Sequence, residues 1–135
     1  MKKEFKDFTL GSFNLEIKAG DKLIFRSRKE GVKGLLDFIK KYGRRFKNLI
    51  IFDKKIGNAA ALLFIYLGAK EVYGAVGSRL AKKTLRKFKI KFYFKKTIPN
   101  ILNKTETDIC PLEKLSLAKT PKVFYNLVKS IDKKI

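Results

Sequence analysis

The first third of the chain changes from a two-residue hydrophobic period to a helical one. Phe13, Leu15 and Ile17 alternate with polar residues, a Gly-Asp pair follows, and residues 23–25 are apolar again. Alternation is typical of half-buried strands and the Gly-Asp pair favours a turn, so we predict a β-hairpin. From residue 31, apolar side chains recur at helical spacing, which predicts an amphipathic helix that ends at Gly43.

Two later segments are apolar without alternation and predict strands that are covered on both faces. Residues 49–52 and 72–76 have this pattern, which is typical of the central strands of a parallel sheet. Between them, residues 59–67 are continuously apolar, and we predict a buried helix there. Ser78 is a suitable N-cap for another helix, and residues 90–94 alternate as a last strand.

The predicted order of elements is β-β-α-β-α-β-α-β, followed by a C-terminal segment with a different sequence pattern. Residues 97–109 are polar and irregular, and residues 110–135 contain two helices that each begin at a Pro. Residues 1–10 are interpreted as an N-terminal lead without an element of their own. No repeat divides the chain, so we expect a single α/β domain over residues 1–135.

Composition indicates a soluble protein with a packed core. Of 135 residues, 45% are hydrophobic and 13% aromatic, which is enough for one core of ordinary size. The longest apolar run, residues 59–67, is too short to span a bilayer, and the charged residues 1–7 are not followed by the apolar stretch of a secretory signal. A single Cys permits no internal disulfide, and we expect a cytoplasmic protein.

The charge balance is strongly positive, and two interpretations of it stay open. Lys and Arg number 33 against 12 Asp and Glu, a net charge of +21, which attracts polyanions. Most of these bases are Lys, whereas Arg is the residue whose planar fork grips a phosphate in a defined geometry. The charge is therefore either compositional background or a surface selected for an anionic partner.

Several common kinds of active site are excluded by what the chain lacks. It has no His, so a catalytic triad that moves protons through an imidazole cannot form. One Cys with scattered acids does not supply the ligand set of a zinc site. Neither the glycine-rich triphosphate loop nor the dinucleotide-binding glycine turn is present. We therefore expect no metal and no cofactor.

Polar residues follow the predicted strands at the points where those strands end. In open α/β sheets, ligands bind beyond the carboxyl ends of the strands, where helix N-termini offer free N–H groups. On this basis the predicted residues for binding a small anionic ligand are Arg28, Lys55, Gly57, Asn58 and Ser78. The plainer interpretation is that they belong to solvated loops of a Lys-rich protein.

Cys110 is the one residue with a chemically distinctive context. Pro111 places it at the N-cap of a helix, where the helix dipole stabilises a thiolate. Glu113 is spaced as a capping-box partner for the backbone of the same helix. The alternative is that Cys110 is a small packed hydrophobe. Lys54 or Lys55, beside Asp53, is either an amine nucleophile, a phosphate clamp or an ordinary surface residue.

Three segments of the chain resemble a known family. They are residues 51–63 (IFDKKIGNAAALL), residues 67–73 (LGAKEVY) and residues 110–113 (CPLE), and they are similar to the domain-of-unknown-function family 1893. The resemblance covers residues 11–130. It implies a cytidine-deaminase-like fold, with a three-layer α-β-α arrangement and a mixed five-stranded sheet in the order 2-1-3-4-5.

The chain departs from the zinc deaminases of that fold at both metal motifs. Those enzymes carry a His or Cys with a Glu at one helix start and Pro-Cys-x-x-Cys at the next. Residues 28–30 (RKE) and 53–57 (DKKIG) stand at these positions here. Deaminase activity is therefore not carried over by the resemblance, because function belongs to the site and not to the scaffold.

The first functional hypothesis is a zinc-free deaminase-fold protein that binds a small anionic metabolite or nucleotide in a cleft at the strand ends. If it is an enzyme, Cys110 is the expected nucleophile, with Asp53 or Lys54 for proton transfer. The alternative is a non-catalytic nucleic-acid-binding module, with spread Lys charge and Phe92, Tyr93 and Phe94 as a stacking strand. A partner-binding domain without chemistry is a third interpretation. The sequence does not indicate an oligomeric state.

Overall fold

A computed structural model describes residues 2–132. Residue 1 of the predicted lead and residues 133–135 of the predicted C-terminal helices lie outside the described residues. In chain order the elements are α1 (Lys3–Leu10), β1 (Leu15–Ala19), β2 (Lys22–Ser27), α2 (Lys33–Tyr42), β3 (Leu49–Ile56), α3 (Asn58–Tyr66), β4 (Ala69–Ser78), α4 (Arg79–Lys87), β5 (Lys91–Ile98), α5 (Pro111–Ser116) and α6 (Pro121–Asp132).

The strands form one mixed sheet in the order β2-β1-β3-β4-β5. Strand β1 is antiparallel to both β2 and β3, whereas β3, β4 and β5 run parallel to one another. The predicted α/β class, the mixed five-stranded sheet and its order 2-1-3-4-5 are confirmed. Residues 49–52 of β3 and 72–76 of β4 are continuously apolar because both faces of the sheet are covered there.

Helix α3 is apolar all round because it lies between the sheet and other helices. It contacts β3 and β4 on one side and α4, α5 and α6 on the others, and residues 58–64 are all buried. The three alanines at residues 59–61 are small enough for close approach to these neighbours. None of the helices between residues 2 and 132 has the length and apolar character that crossing a membrane requires.

The interpretation of residues 1–10 as a lead without structure is wrong. Residues 3–10 form α1, and its two Phe residues, Phe5 and Phe8, are buried. They pack against Phe52 of β3 and Tyr73 of β4 in a second core, on the face of the sheet opposite the main core of α2, α3, α4 and α6. The spacing of three residues puts both Phe side chains on one side of the helix.

Three strands extend beyond the predicted ends, and this corrects the expected position of the polar residues. Strand β3 continues through Ile56, β4 through Ser78 and β5 through Ile98. Asp53, Lys54 and Lys55 are therefore strand residues and not part of a loop. Neighbouring side chains in a strand point to opposite faces of a sheet. The side chains of Asp53, Lys54 and Lys55 therefore cannot all line the predicted cleft.

Candidate functional site

The N-terminus of α3 holds a carboxylate that the chain itself provides. The backbone N–H groups of Asn58 and Ala59 donate to Oε2 and Oε1 of Glu113, at 2.7 and 2.9 Å. Helix N-termini bind anions in this way, and here the anion is a buried side chain. A Cβ at Gly57 would collide with that carboxyl group, so the glycine leaves the space that Glu113 fills.

Glu113 was expected to cap its own helix, and that prediction is wrong because the carboxylate reaches α3 instead. Burial raises the pKa of the Glu113 carboxyl, while hydrogen bonds from the N–H groups of Ala59 and Asn58 act in the opposite direction. Two donors fixed by the backbone hold the group in place. The N-terminus of α3, where an anionic ligand was predicted to bind, is thus occupied by the carboxyl group of Glu113.

The side chain of Asn58 links three helices. Its Nδ2 donates to the carbonyl oxygen and the Oγ of Ser116, at 3.3 and 2.9 Å, and its Oδ1 accepts from the hydroxyl of Thr84. Ser116 in turn donates to the carbonyl of Glu113 at 2.7 Å. Ligand binding by Asn58 and Gly57 stays a prediction, and a ligand there has to replace these internal partners.

Asp53 is buried in β3, with only 7% of the residue exposed. Its Oδ1 accepts from the backbone N–H of Lys55 at 3.2 Å. Burial raises the pKa of the Asp53 carboxyl to about 7, although backbone N–H groups and the positive charge of Lys54 oppose that rise. A carboxyl with such a pKa can exchange protons near neutral pH.

Lys54 is engaged away from the proposed cleft, near the C-terminal end of α1. Its Nζ donates to the carbonyl oxygens of Gly11 and Phe13, at 2.7 and 2.9 Å, and lies 4.9 Å from the centre of the Phe8 ring. These contacts are with the segment that covers the second face of the sheet. The geometry therefore separates the Lys54 amine from Asn58, which lies under α5.

Cys110 stands at the N-cap of α5 with Pro111 at the first helical position, as predicted. The thiol is half-buried and makes no capping hydrogen bond. The backbone of Cys110 is held by Ile101, whose carbonyl accepts its N–H at 3.0 Å. Helix α5 ends at Ser116. A functional thiol stays a prediction.

Two of the three remaining predicted ligand residues, Ser78 and Arg28, also have internal partners. Ser78 caps α4, since its Oγ accepts from the N–H of Ala81 at 3.0 Å, and this confirms its predicted cap position. The Nε of Arg28 donates to Oγ of Ser12 at 3.1 Å, and its guanidinium lies 3.9 Å from the centre of the Phe13 ring. Lys55 is exposed.

The aromatic residues of β5 do not form one stacking row. Phe92 and Phe94 pack against the main core, with their ring centres 5.1 Å apart. Tyr93, one position away from each, points to the other face, where it contacts Phe5 of α1. The prediction of a three-residue stacking strand is therefore wrong, because the two-residue period of the strand divides the set.

Two shallow recesses stand out on the surface, and both lie beside α1 and not at the N-terminus of α3. One, of about 380 Å³, is lined by Lys2, Tyr73, Lys91, Phe92 and Tyr93. The other, of about 220 Å³, is lined by Glu4, Asp7, Phe8, Gly11, Phe13 and Glu16. The sequence alone did not predict either recess, because α1 had no predicted structure.

The buried carboxylate of Glu71 connects three residues that line the first recess. The hydroxyl of Tyr73 donates to Oε1 of Glu71 at 2.7 Å, and the amines of Lys2 and Lys91 lie 3.6 and 3.7 Å from the same oxygen. The hydrogen bond from Tyr73 lowers the pKa of Glu71. Burial, together with Glu71, raises the pKa of Tyr73 to about 12, so its hydroxyl stays a donor.

The edge of the sheet formed by α4 and β5 carries positive charge without any carboxylate. Between Glu71 and Glu106 the chain has ten Lys or Arg residues and no Asp or Glu. Those ten are Arg79, Lys82, Lys83, Arg86, Lys87, Lys89, Lys91, Lys95, Lys96 and Lys104. Ala81 and Leu85 turn toward the core, so the charged side of α4 faces outward beside the edge strand β5.

Comparison with known proteins places the chain in a family. The family described as "Domain of unknown function (DUF1893)" matches residues 6–131. The crystal structure of a DUF1893 family protein (TM1506) from Thermotoga maritima superimposes with a TM-score of 0.82, at 27% sequence identity, over 96% of this chain and 91% of that one. No curated protein matches the chain. The predicted cytidine-deaminase-like relationship stays a prediction, whereas the match over residues 6–131 shows that this chain belongs to the DUF1893 family.

Proposed function

We propose that this protein binds nucleic acid through the acid-free edge formed by α4 and β5, which we call the basic edge. The observation that carries the proposal is the absence of Asp and Glu between Glu71 and Glu106, where ten basic residues occur. A compositional excess of Lys would leave acids interspersed. A continuous positive surface is what a phosphate backbone requires.

The basic residues of this edge are free to meet an external anion. Lys83, Arg86 and Lys87 of α4 and Lys95 and Lys96 of β5 are all exposed. Within the part of the chain that the structure describes, Lys91 is the member of the basic edge that has an ion pair, with Glu71. Lys contacts bind phosphates as point charges without fixing the base sequence, so we expect binding with little sequence preference.

The hypothesis of a small metabolite at the strand ends has less support from the geometry. The N–H groups of Asn58 and Ala59 are satisfied by Glu113, and an anion there would have to expel a buried carboxylate. For Cys110 chemistry, iodoacetamide labelling of the native protein across pH is the test. A thiol that titrates at its ordinary value or resists labelling contradicts that hypothesis.

The test of nucleic-acid binding is fluorescence anisotropy with a labelled single-stranded RNA of mixed sequence over a range of salt concentrations. The K83Q/K87Q variant removes two charges from the basic edge. We expect weaker binding and a salt slope that becomes shallower by about 1.4, since each phosphate contact to a single strand contributes roughly 0.7.

The matched control is K40Q/K47Q, which removes the same charge from exposed positions near α2. We expect this pair to bind almost as well as the unaltered protein. Equal losses in the two variants would mean that net charge, and not the basic edge, attracts the RNA. Failure of the unaltered protein to bind at physiological salt would overturn the proposal.

A further inference from the structure

The recess beside Tyr93 has the size and the lining of a small binding site. Its volume is about 380 Å³, near the lower end of the range in which ligand pockets occur. The ring of Tyr73 and the ring of Tyr93 supply aromatic surface, and the amines of Lys2 and Lys91 supply positive charge. A planar ring that carries an anionic group matches this combination.

The geometry of the sheet fixes the aromatic wall of this recess. Tyr73 and Tyr93 are directly paired between the parallel strands β4 and β5, and both point toward α1. The ring of Phe5 lies 5.6 Å from that of Tyr73 and 6.1 Å from that of Tyr93. Phe5 thus holds Tyr93 from the helix side, while 41% of Tyr93 stays exposed. An aromatic ring that packs on one side and is exposed on another is a suitable stacking platform.

Lys2 and Lys91 lie near the rings of Tyr73 and Tyr93, and their ammonium groups have N–H donors left for a ligand. Their amines flank Oε1 of Glu71, and the amine of Lys2 is 5.3 Å from the centre of the Tyr73 ring. The side chains of Lys2 and Lys91 are 42% and 75% exposed. Each ammonium has three N–H donors, so an ion pair with one shared carboxylate oxygen leaves others for phosphate.

We infer that this recess takes one unpaired nucleobase of a single strand, stacked on Tyr93, with the adjoining phosphates on Lys2 and Lys91. The inference rests on the proposed nucleic-acid binding and deepens it, because it gives the basic edge a preference for single strands. By the alternation of a strand, Lys91, Tyr93 and Lys95 of β5 lie on the face of the sheet that carries α1. A nucleic-acid strand that follows the β5 side of the basic edge on this face passes the recess. Bases in a duplex are paired and stacked already and cannot enter it.

The decisive experiment compares a single strand with the corresponding duplex in the anisotropy assay, using the unaltered protein and Tyr93→Ala. Loss of one base stack lowers single-strand affinity by roughly 5- to 150-fold. We expect that loss for Tyr93→Ala, an unchanged affinity for duplex, an unchanged salt slope and recovery in Tyr93→Phe. The control is Phe88→Ala, since Phe88 is an exposed aromatic residue at the end of α4, outside the recess.

A second measurement uses the unaltered protein, because Tyr93 also packs on Phe5 and its replacement can disturb the fold. A single strand that contains 4-thiouridine is irradiated on the protein, and the cross-linked peptide is identified by mass spectrometry. We expect the peptide that contains Tyr93. Cross-links only elsewhere would overturn the inference.

The outcomes separate the inference from the proposed function. Equal affinity for single strand and duplex, together with no effect of Tyr93→Ala, overturns the base site while the basic edge still binds. Loss of affinity in Phe88→Ala equal to that in Tyr93→Ala also overturns the base site. Absence of binding to either form overturns both proposals together.

Discussion

The carboxylate of Glu113 accepts a hydrogen bond of 2.7 Å from the backbone N–H of Asn58, a residue 55 positions earlier in the chain. This bond and its companion from Ala59 attach the short helix α5 to the N-terminus of the most buried helix, α3. They satisfy two of the N–H groups that every helix leaves without an intrahelical partner. The C-terminal segment is therefore part of the core structure.

Replacing Glu113 should destabilise the whole domain. Glu113→Ala leaves two buried N–H donors without partners, and we expect a loss of about 3 kcal/mol in the free energy of unfolding, measured by urea denaturation. Glu113→Gln keeps one acceptor oxygen and should lose less. The control is Glu30→Ala at an exposed position, which should change stability by less than about 0.5 kcal/mol. A similarly small effect of Glu113→Ala would contradict the capping role.

The effects of substitutions at Gly57 and at Glu113 on stability should depend on each other. Gly57 has φ −97° and ψ −176°, a conformation open to any residue, so Gly57→Ala strains the structure only through the collision with the Glu113 carboxyl group. We expect a loss of about 1–3 kcal/mol in the native background. In the Glu113→Ala background the added methyl group should be tolerated. Additive effects in this double-mutant cycle would show that the two positions do not interact.

Two adjacent lysines should respond very differently to the same substitution. Lys54→Met removes the hydrogen bonds to the carbonyls of Gly11 and Phe13 and should cost about 1–2 kcal/mol. The amide hydrogens of α1 should then exchange faster. Lys55→Met is the matched control, because that side chain is exposed and its loss should be within about 0.5 kcal/mol of neutral. Equal effects would contradict the anchoring of α1 by Lys54.

The elements that local periodicity governs were predictable, and those that depend on distant partners were not. The hairpin, the buried helix and the sheet order follow from alternation, continuous apolar runs and the family resemblance. Helix α1 was missed because its signal is only two aromatic residues, Phe5 and Phe8, in a charged segment. The surface that buries them, Phe52 and Tyr73, comes from strands that are apolar on both faces.

The site was harder to predict than the fold for a physical reason. Asp53 looked like a loop residue because a carboxylate followed by two lysines normally ends an apolar strand. The strand continues here because the buried Asp53 carboxyl, whose pKa is raised to about 7, accepts a hydrogen bond from the backbone N–H of Lys55, and because backbone carbonyls of another segment accept from Lys54. Glu113 had the spacing of a local cap, and only the packing of α5 on α3 shows its actual partner. Contacts between residues so far apart in the chain leave no signal in the local sequence pattern.

Burial of Asp53 should make the stability of the domain depend on pH. The pKa of this carboxyl is raised from 3.8 to about 7 by folding, mainly through burial. Between these values the folded protein holds a proton that the unfolded chain has released, so the free energy of unfolding falls as pH rises through that window. The total loss in the free energy of unfolding is about 4 kcal/mol. The domain shows this loss above about pH 7 and is free of it below about pH 4.

The test is to measure urea denaturation of Asp53→Asn and of the unaltered protein between about pH 4 and about pH 8. The amide cannot ionise, so the variant should gain stability relative to the unaltered protein as pH rises, with most of the gain between the two pKa values. Asp21→Asn is the control, since Asp21 is exposed in the hairpin turn, and its stability difference should stay nearly constant. If the Asp53→Asn difference is equally flat, the carboxyl titrates alike in the folded and unfolded chains. Proton transfer by Asp53 near neutral pH then loses its physical basis.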